Sequence, residues 1–173
     1  MTVTIVPATV RDVTYIAADM RPDDWREIAC QVHDGVTPGQ IAAAAVAHGE
    51  SYVATLDGQP VAAFGVMPAT VNVLTIWAWG TPRTRRVVPA ITRFTIADLV
   101  PRWLAAGITR VEARSIAGHD AAHRWLRALG TTETALPEWG KGGEAFILFA
   151  WTRAGWLERT RSDVLRQGSN GPD

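Results

Sequence analysis

The chain has 173 residues, 47% of them hydrophobic, with 17 basic and 17 acidic side chains and a formal net charge of zero. That length suits one domain with a real core, and the balanced charge gives no electrostatic footing for nucleic acid or a membrane surface. A lone cysteine, Cys30, excludes an internal disulfide framework, no run approaches the roughly 20 apolar residues of a membrane span, and the opening MTVTIVPATVRDV lacks a secretory signal, so a cytoplasmic protein is expected.

Val3 to Val6 reads as a short strand. Ala8 to Met20 has helical spacing at Val10, Val13, Ile16 and Ala17, a stripe expected to be core. Arg21-Pro22-Asp23-Asp24 interrupts the pattern, and Asp23 or Asp24 is placed to cap a second helix, WREIACQVH, ending before Gly35. Cys30 sits inside it and reads as packing. Thr37 and Pro38, as N-cap and first helical residue, begin a third helix that stops at Gly49.

Ser51 to Leu56 and Pro60 to Met67 flank Asp57-Gly58, a strong hairpin signal. Pro68 breaks the run, and Val71 to Trp79 is a third strand. Val87 to Ala106 is a long helix with a kink expected near Pro101, ended by Gly107. Thr109 to Ile116 alternates, with Val111, Ala113 and Ser115 on one face and Arg110, Glu112 and Arg114 on the other. His119 to Leu129 is helical up to Gly130, and strands follow near Thr131 to Ala135 and Ala145 to Thr152, separated by PEWGKGGE. Trp156, Leu157, Thr160 and Val164 give residues 153–167 an amphipathic stripe, and 168–173 reads as a disordered tail. Antiparallel strands early and strand–helix–strand units later predict an α/β (α+β) fold, a single domain with a mixed central sheet flanked by helices. Most of the eight tryptophans should be core.

The turn in WAWGTPRTRRVV, residues 77–88, carries the most chemistry. A helix N-terminus already bears positive partial charge, so Arg83, Arg85 and Arg86 there must reach acids or hold an anion. The alternative is a solvated turn paired with surface acids. Glu112 is a candidate general base on a central strand, or else a partner of Arg110 and Arg114. His119 and His123, four apart in HDAAH, could ligate a metal, but two ligands make no site and none is expected. His119 or Asp120 reads as a helix cap, and His123 as a candidate acid or base near neutral pH. Trp77 and Trp79 share one strand face, either packed under a helix or lining a cleft.

ADMRPDDWREI at 18–28, SYVATLDGQPVAAFGV at 51–66, WAWGT at 77–81 and EARSIAGHDAAHRWLRALG at 112–130, in this element order, resemble the GNAT (acyl-CoA N-acyltransferase) superfamily. The likeness covers about residues 3–152, within a domain expected over 1–152, and is nearest to the branch labelled phage internal virion protein A-like or phage acetyltransferase-like. The resemblance implies acetyl-CoA as cofactor, held at Arg83, Arg85, Arg86, Val87 and Val88, with Glu112 and His123 as catalytic candidates. The family's pyrophosphate loop, Arg/Gln-x-x-Gly-x-Gly/Ala, laid on Arg83 puts its glycines at Arg86 and Val88. Counting back from Gly130 puts the family's tyrosine acid at Leu126 and its asparagine at His119. Two functions follow: an N-acetyltransferase with a degenerate cofactor loop, or a non-catalytic phage protein in virion assembly or host contact. Partners would be an acyl acceptor or a phage or host protein, in host cytoplasm or virion, with self-association through the C-terminal helix.

Overall fold

The structure, a computed structural model, describes residues 1–158, and two of its helices begin at threonine caps. After β1 (Val3–Pro7), the Thr9 hydroxyl accepts from the Asp12 amide and starts α1 (Val10–Ala18). Val13, Ile16 and Ala17 are buried as expected, whereas Val10 is 45% exposed because burial begins a turn later. In α2 (Pro22–Ala29), Arg21 is the N-cap and Pro22 the first residue, so neither Asp23 nor Asp24 caps. This helix ends at Ala29, short of the expected span, with Cys30 as its C-cap. Thr37 and Gln40 form a reciprocal capping box on α3 (Pro38–Ala47).

β2 (Glu50–Leu56) and β3 (Gln59–Thr70) turn at Asp57 and Gly58, whose positive φ values of 51° and 81° suit a two-residue hairpin. Pro68 does not end β3. It sits at a register irregularity between Pro68 and Thr70, where the missing N–H costs the ladder least. β4 (Val73–Gly80) leads through a 3₁₀ turn (Thr84–Arg86) into α4 (Val88–Phe94) and α5 (Val100–Ala105). The expected kink takes the form of a π turn, Thr95–Leu99, in which the Val100 amide reaches the Thr95 carbonyl. It directly precedes Pro101, which has no N–H to continue the regular ladder. β5 (Arg110–Ile116), α6 (Asp120–Ala128), β6 (Thr132–Leu136) and β7 (Phe146–Thr152) follow.

The seven strands form one sheet in the order β1-β2-β3-β4-β5-β7-β6. Every neighbouring pair is antiparallel except β4 with β5. One face packs against α4 and α5 through Val87, Ile91, Leu99, Val100 and Trp103. The other packs against α1 and α3 through Val13, Ile16, Ile41 and Ala42. Leu126 on α6 covers Ala113 and Phe149, and Trp125 donates to Thr92 on α4 at 2.8 Å. Among the described residues no helix is long and apolar enough to cross a membrane.

Residues 153–158 are helical. Trp156 lies 5.7 Å from Trp151, centroid to centroid, and packs on the main core, so this segment does meet its own domain. The rest of the expected amphipathic helix and the 168–173 tail lie outside the described residues.

Candidate active site

β4 and β5 pair over only three rungs, Val73–Arg110, Leu74–Val111 and Thr75–Glu112. Beyond these, Ile76 to Gly80 stay paired with β3 and Ala113 to Ile116 with β7, but the two strands no longer meet each other. The sheet is split there, and two strand edges with backbone donors and acceptors face the gap.

α2 lies across the mouth of this split. On the β4 side, Gly80 donates its amide to Asp24 Oδ2 at 2.8 Å and accepts from the Arg21 amide at 2.9 Å. The next amide, Thr81, donates to Val61 on β3, so by strand alternation Gly80 presents its backbone groups to the gap. Arg21 grips Asp24 through two bonds, Nε to Oδ2 at 2.9 Å and Nη2 to Oδ1 at 2.8 Å. On the β5 side, Glu27 Oε2 accepts from Ser115 Oγ at 2.6 Å and from the Ile116 amide at 2.9 Å. His119 bridges the two acids, with Nδ1 3.2 Å from Glu27 Oε2 and Nε2 3.4 Å from Asp24 Oδ1. Arg26 donates to the Ala117 carbonyl, and Lys141 from the β6–β7 loop donates to the carbonyls of Cys30 and Val32.

Asp24 and His119 are each 3% exposed. Burial pushes the Asp24 carboxyl up from its ordinary range, outweighing the downward pull of Arg21, the Gly80 amide and His119. Asp24 thus serves as a buried anchor and not as the expected cap. Sequence reasoning missed the cluster, reading Asp24 and His119 as caps and passing over Glu27. The available signal was the i, i+3 spacing of Asp24 and Glu27, which puts both carboxylates on one helix face. Among the described residues no set of His, Cys, Asp or Glu is arranged to hold a metal ion.

The basic turn is wound tightly on itself. The amide of Arg83 donates to the Thr81 hydroxyl, those of Thr84 and Arg86 to the carbonyls of Thr81 and Arg83, and that of Val87 to Thr84. Pro89 has no amide hydrogen. Arg83 donates to Gln59 Oε1 at 2.9 Å, while Arg85 and Arg86 are exposed and, among the described residues, enter no ion pair. Val87 was expected at the cofactor. Its side chain is fully buried in the core and its amide is taken, so it offers a ligand neither. Val88 is half-buried at the start of α4.

The remaining candidates lie apart from the cluster or under it. Glu112 is held by Arg110 and, at 3.5 Å, by Arg114, which is the ion-pair alternative and ties up both carboxylate oxygens. His123 is buried against Phe149 with Nε2 unpartnered among the described residues, and burial, Arg127 and His119 hold its pKa below the usual imidazole value. Leu126, at the family's tyrosine position, is core. Trp77 and Trp79 stack at 4.3 Å, pack with the α1–α3 core and also line an open cavity of roughly 330 Å³ beside Ile28, Val36 and Ile41.

No family model and no curated protein matches this chain. Solved structures do. A ribosomal-protein-alanine N-acetyltransferase from Brucella melitensis superposes with a TM-score of 0.67 at 18% identity, covering 86% of this chain and 99% of that one. The structure of yncA, a putative acetyltransferase from Salmonella typhimurium with its cofactor acetyl-CoA, gives 0.67 at 14%, covering 88% and 94%. A probable acetyltransferase of the GNAT family from Chromobacterium violaceum gives 0.67 at 16%, covering 90% of each. At such identities the likeness shows the fold, and the fold is that of the GNAT N-acetyltransferases.

Proposed function

We propose that this protein is an acyl-CoA-dependent N-acyltransferase that uses acetyl-CoA and a primary amine. The split between β4 and β5 carries this reading. An extended donor with amide groups in its arm can hydrogen-bond to an open strand edge as an added strand does. Arg85 and Arg86, exposed at the end of β4, supply guanidinium groups for the donor's phosphates. Four of the turn's backbone amides, those of Arg83, Thr84, Arg86 and Val87, are already bonded, so these side chains carry much of the contact. The amine nitrogen attacks the thioester carbonyl carbon, a C–N bond forms, and the C–S bond breaks. Amide donors near the split stabilise the oxyanion. The yncA structure, with its acetyl-CoA, supports a donor of this class on this fold.

A second reading has its own support. Arg86 and Val88 stand where the family loop has glycines, Leu126 is buried where it has tyrosine, and Gly80 is already bonded by α2. These features favour a non-catalytic protein that uses the fold for contact; a phage-type role in virion assembly or host contact rests on the sequence resemblance alone. Calorimetric titration with acetyl-CoA divides the two. Saturable binding is expected, and Arg85→Ala with Arg86→Ala should weaken it by about 1.5–3 kcal/mol per lost charged hydrogen bond. Absence of saturation at millimolar acetyl-CoA would leave the second reading standing.

A further inference from the structure

We infer that Glu27 is the general base that takes the proton from the attacking amine, with His119 and Asp24 as its positioning residues. The inference rests on the acyltransferase reading. It is carried by the bonding of the buried group at the mouth of the split, in which only one of three titratable side chains has a free proton-accepting atom.

Both oxygens of Asp24 are engaged, Oδ1 by Arg21 and His119, and Oδ2 by Arg21 and Gly80. Its side chain is 2% exposed. His119 turns one ring nitrogen to each acid, and its side chain is 4% exposed, so neither nitrogen looks outward. Glu27 differs. All three of its donors meet Oε2, and among the described residues none meets Oε1. Its side chain is 18% exposed, enough for a substrate proton to reach. A carboxylate fixed through one oxygen has its other lone pairs aimed without further reorganisation, which is the geometry a general base needs. Of the charged and titratable groups nearby, His119 touches Glu27 directly, Asp24 meets the same imidazole, and His123 on α6 lies close enough to feel the Glu27 charge.

The acceptor's ammonium gives one proton to Glu27 Oε1. The freed nitrogen pair attacks the thioester carbon, and the carbonyl π pair moves to oxygen. Collapse expels the CoA thiolate with the C–S pair, and that thiolate takes the second proton from the nitrogen. The products are the N-acyl amide and CoA thiol, and Glu27 returns its proton to water.

The cluster could instead be a staple that only fastens α2 to the sheet, and Glu27→Gln separates the two. Its amide oxygen still accepts from Ser115 and Ile116, but it has no basicity. A catalytic Glu27 predicts an unchanged melting temperature and acetyl-CoA affinity, with kcat for a primary amine down about 10²–10⁴-fold. Wild-type kcat in this variant overturns the inference while leaving the acyltransferase reading intact. Failure of wild-type protein to bind acetyl-CoA overturns both, and that is seen before any variant is made. Should Glu27→Gln not fold, Glu27→Asp decides the matter: it keeps the charge but draws the carboxylate back by one methylene, so kcat for a primary amine should fall about 10²-fold with acetyl-CoA affinity unchanged. Wild-type kcat in Glu27→Asp overturns the inference.

Discussion

Gly80 is the residue at which the turn, β3 and α2 meet, and no side chain fits there. A Cβ at Gly80 would lie 2.0 Å from Thr84 Oγ1 and 2.8 Å from the Val61 carbonyl oxygen. The Thr84 hydroxyl is itself committed to the Thr81 carbonyl at 2.7 Å, so it cannot yield cheaply. Gly80→Ala should therefore cost about 1–3 kcal/mol, as overpacking does, and lower the melting temperature. His123 gives a pH-dependent counterpart. Its pKa is lowered in the folded protein from an ordinary 6.5, so the fold favours the neutral ring. Full stability is present above about pH 6.5 and is lost as pH falls through the lowered folded value. His123→Leu removes that proton linkage and the unpartnered Nε2. The variant should lose less melting temperature than wild type between pH 7 and pH 5. Parallel losses would show that the ring does not titrate there on unfolding.

At the scale of elements, what was legible in the sequence was local. Thr37 caps its helix, Asp57-Gly58 turns the hairpin, and the alternation of Val111, Ala113 and Ser115 faces the core, because each signal acts within a few residues. The function of α2 was not legible, since Asp24 meets Gly80 across 56 residues and Glu27 meets Ile116 across 89. Periodicity has no access to such separations. The GNAT resemblance supplied the mixed sheet but not the split, and its site positions fell on Leu126, on the tightly wound turn and on His119 alone of the cluster, so Asp24 and Glu27 stayed hidden. Its energetic weight can be measured. Asp24→Ala leaves the Gly80 amide and the Arg21 guanidinium without their acceptor, at a cost of about 1–3 kcal/mol for the stranded buried donor. Hydrogen exchange at the Gly80 amide should accelerate more than at amides inside β2. Uniform acceleration would mean that α2 unfolds with the whole domain instead of as a separate strap.

For the molecule as a whole, the open question is what the C-terminal segment covers. The sequence stripe at Trp156, Leu157, Thr160 and Val164 predicts docking on a second copy or a larger assembly, and Trp156 bears on that expectation. It is partly buried on the core formed with α4 and α5, beside Trp151, which is itself only 8% exposed. Leu157 on the same turn is 48% exposed. One side of the helix's first turn therefore belongs to the domain. Removing the indole would uncover Trp151 and part of β7, so Trp156→Ala should cost about 2 kcal/mol, less than the roughly 3–5 kcal/mol of a fully buried tryptophan. Deletion of residues 154–173 should lower the melting temperature by a similar amount or more, and light scattering should give the same mass before and after. A truncated protein that melts as the full chain does, yet has lost a dimer, would restore the docking role and make the contact of Trp156 with Trp151 incidental to stability.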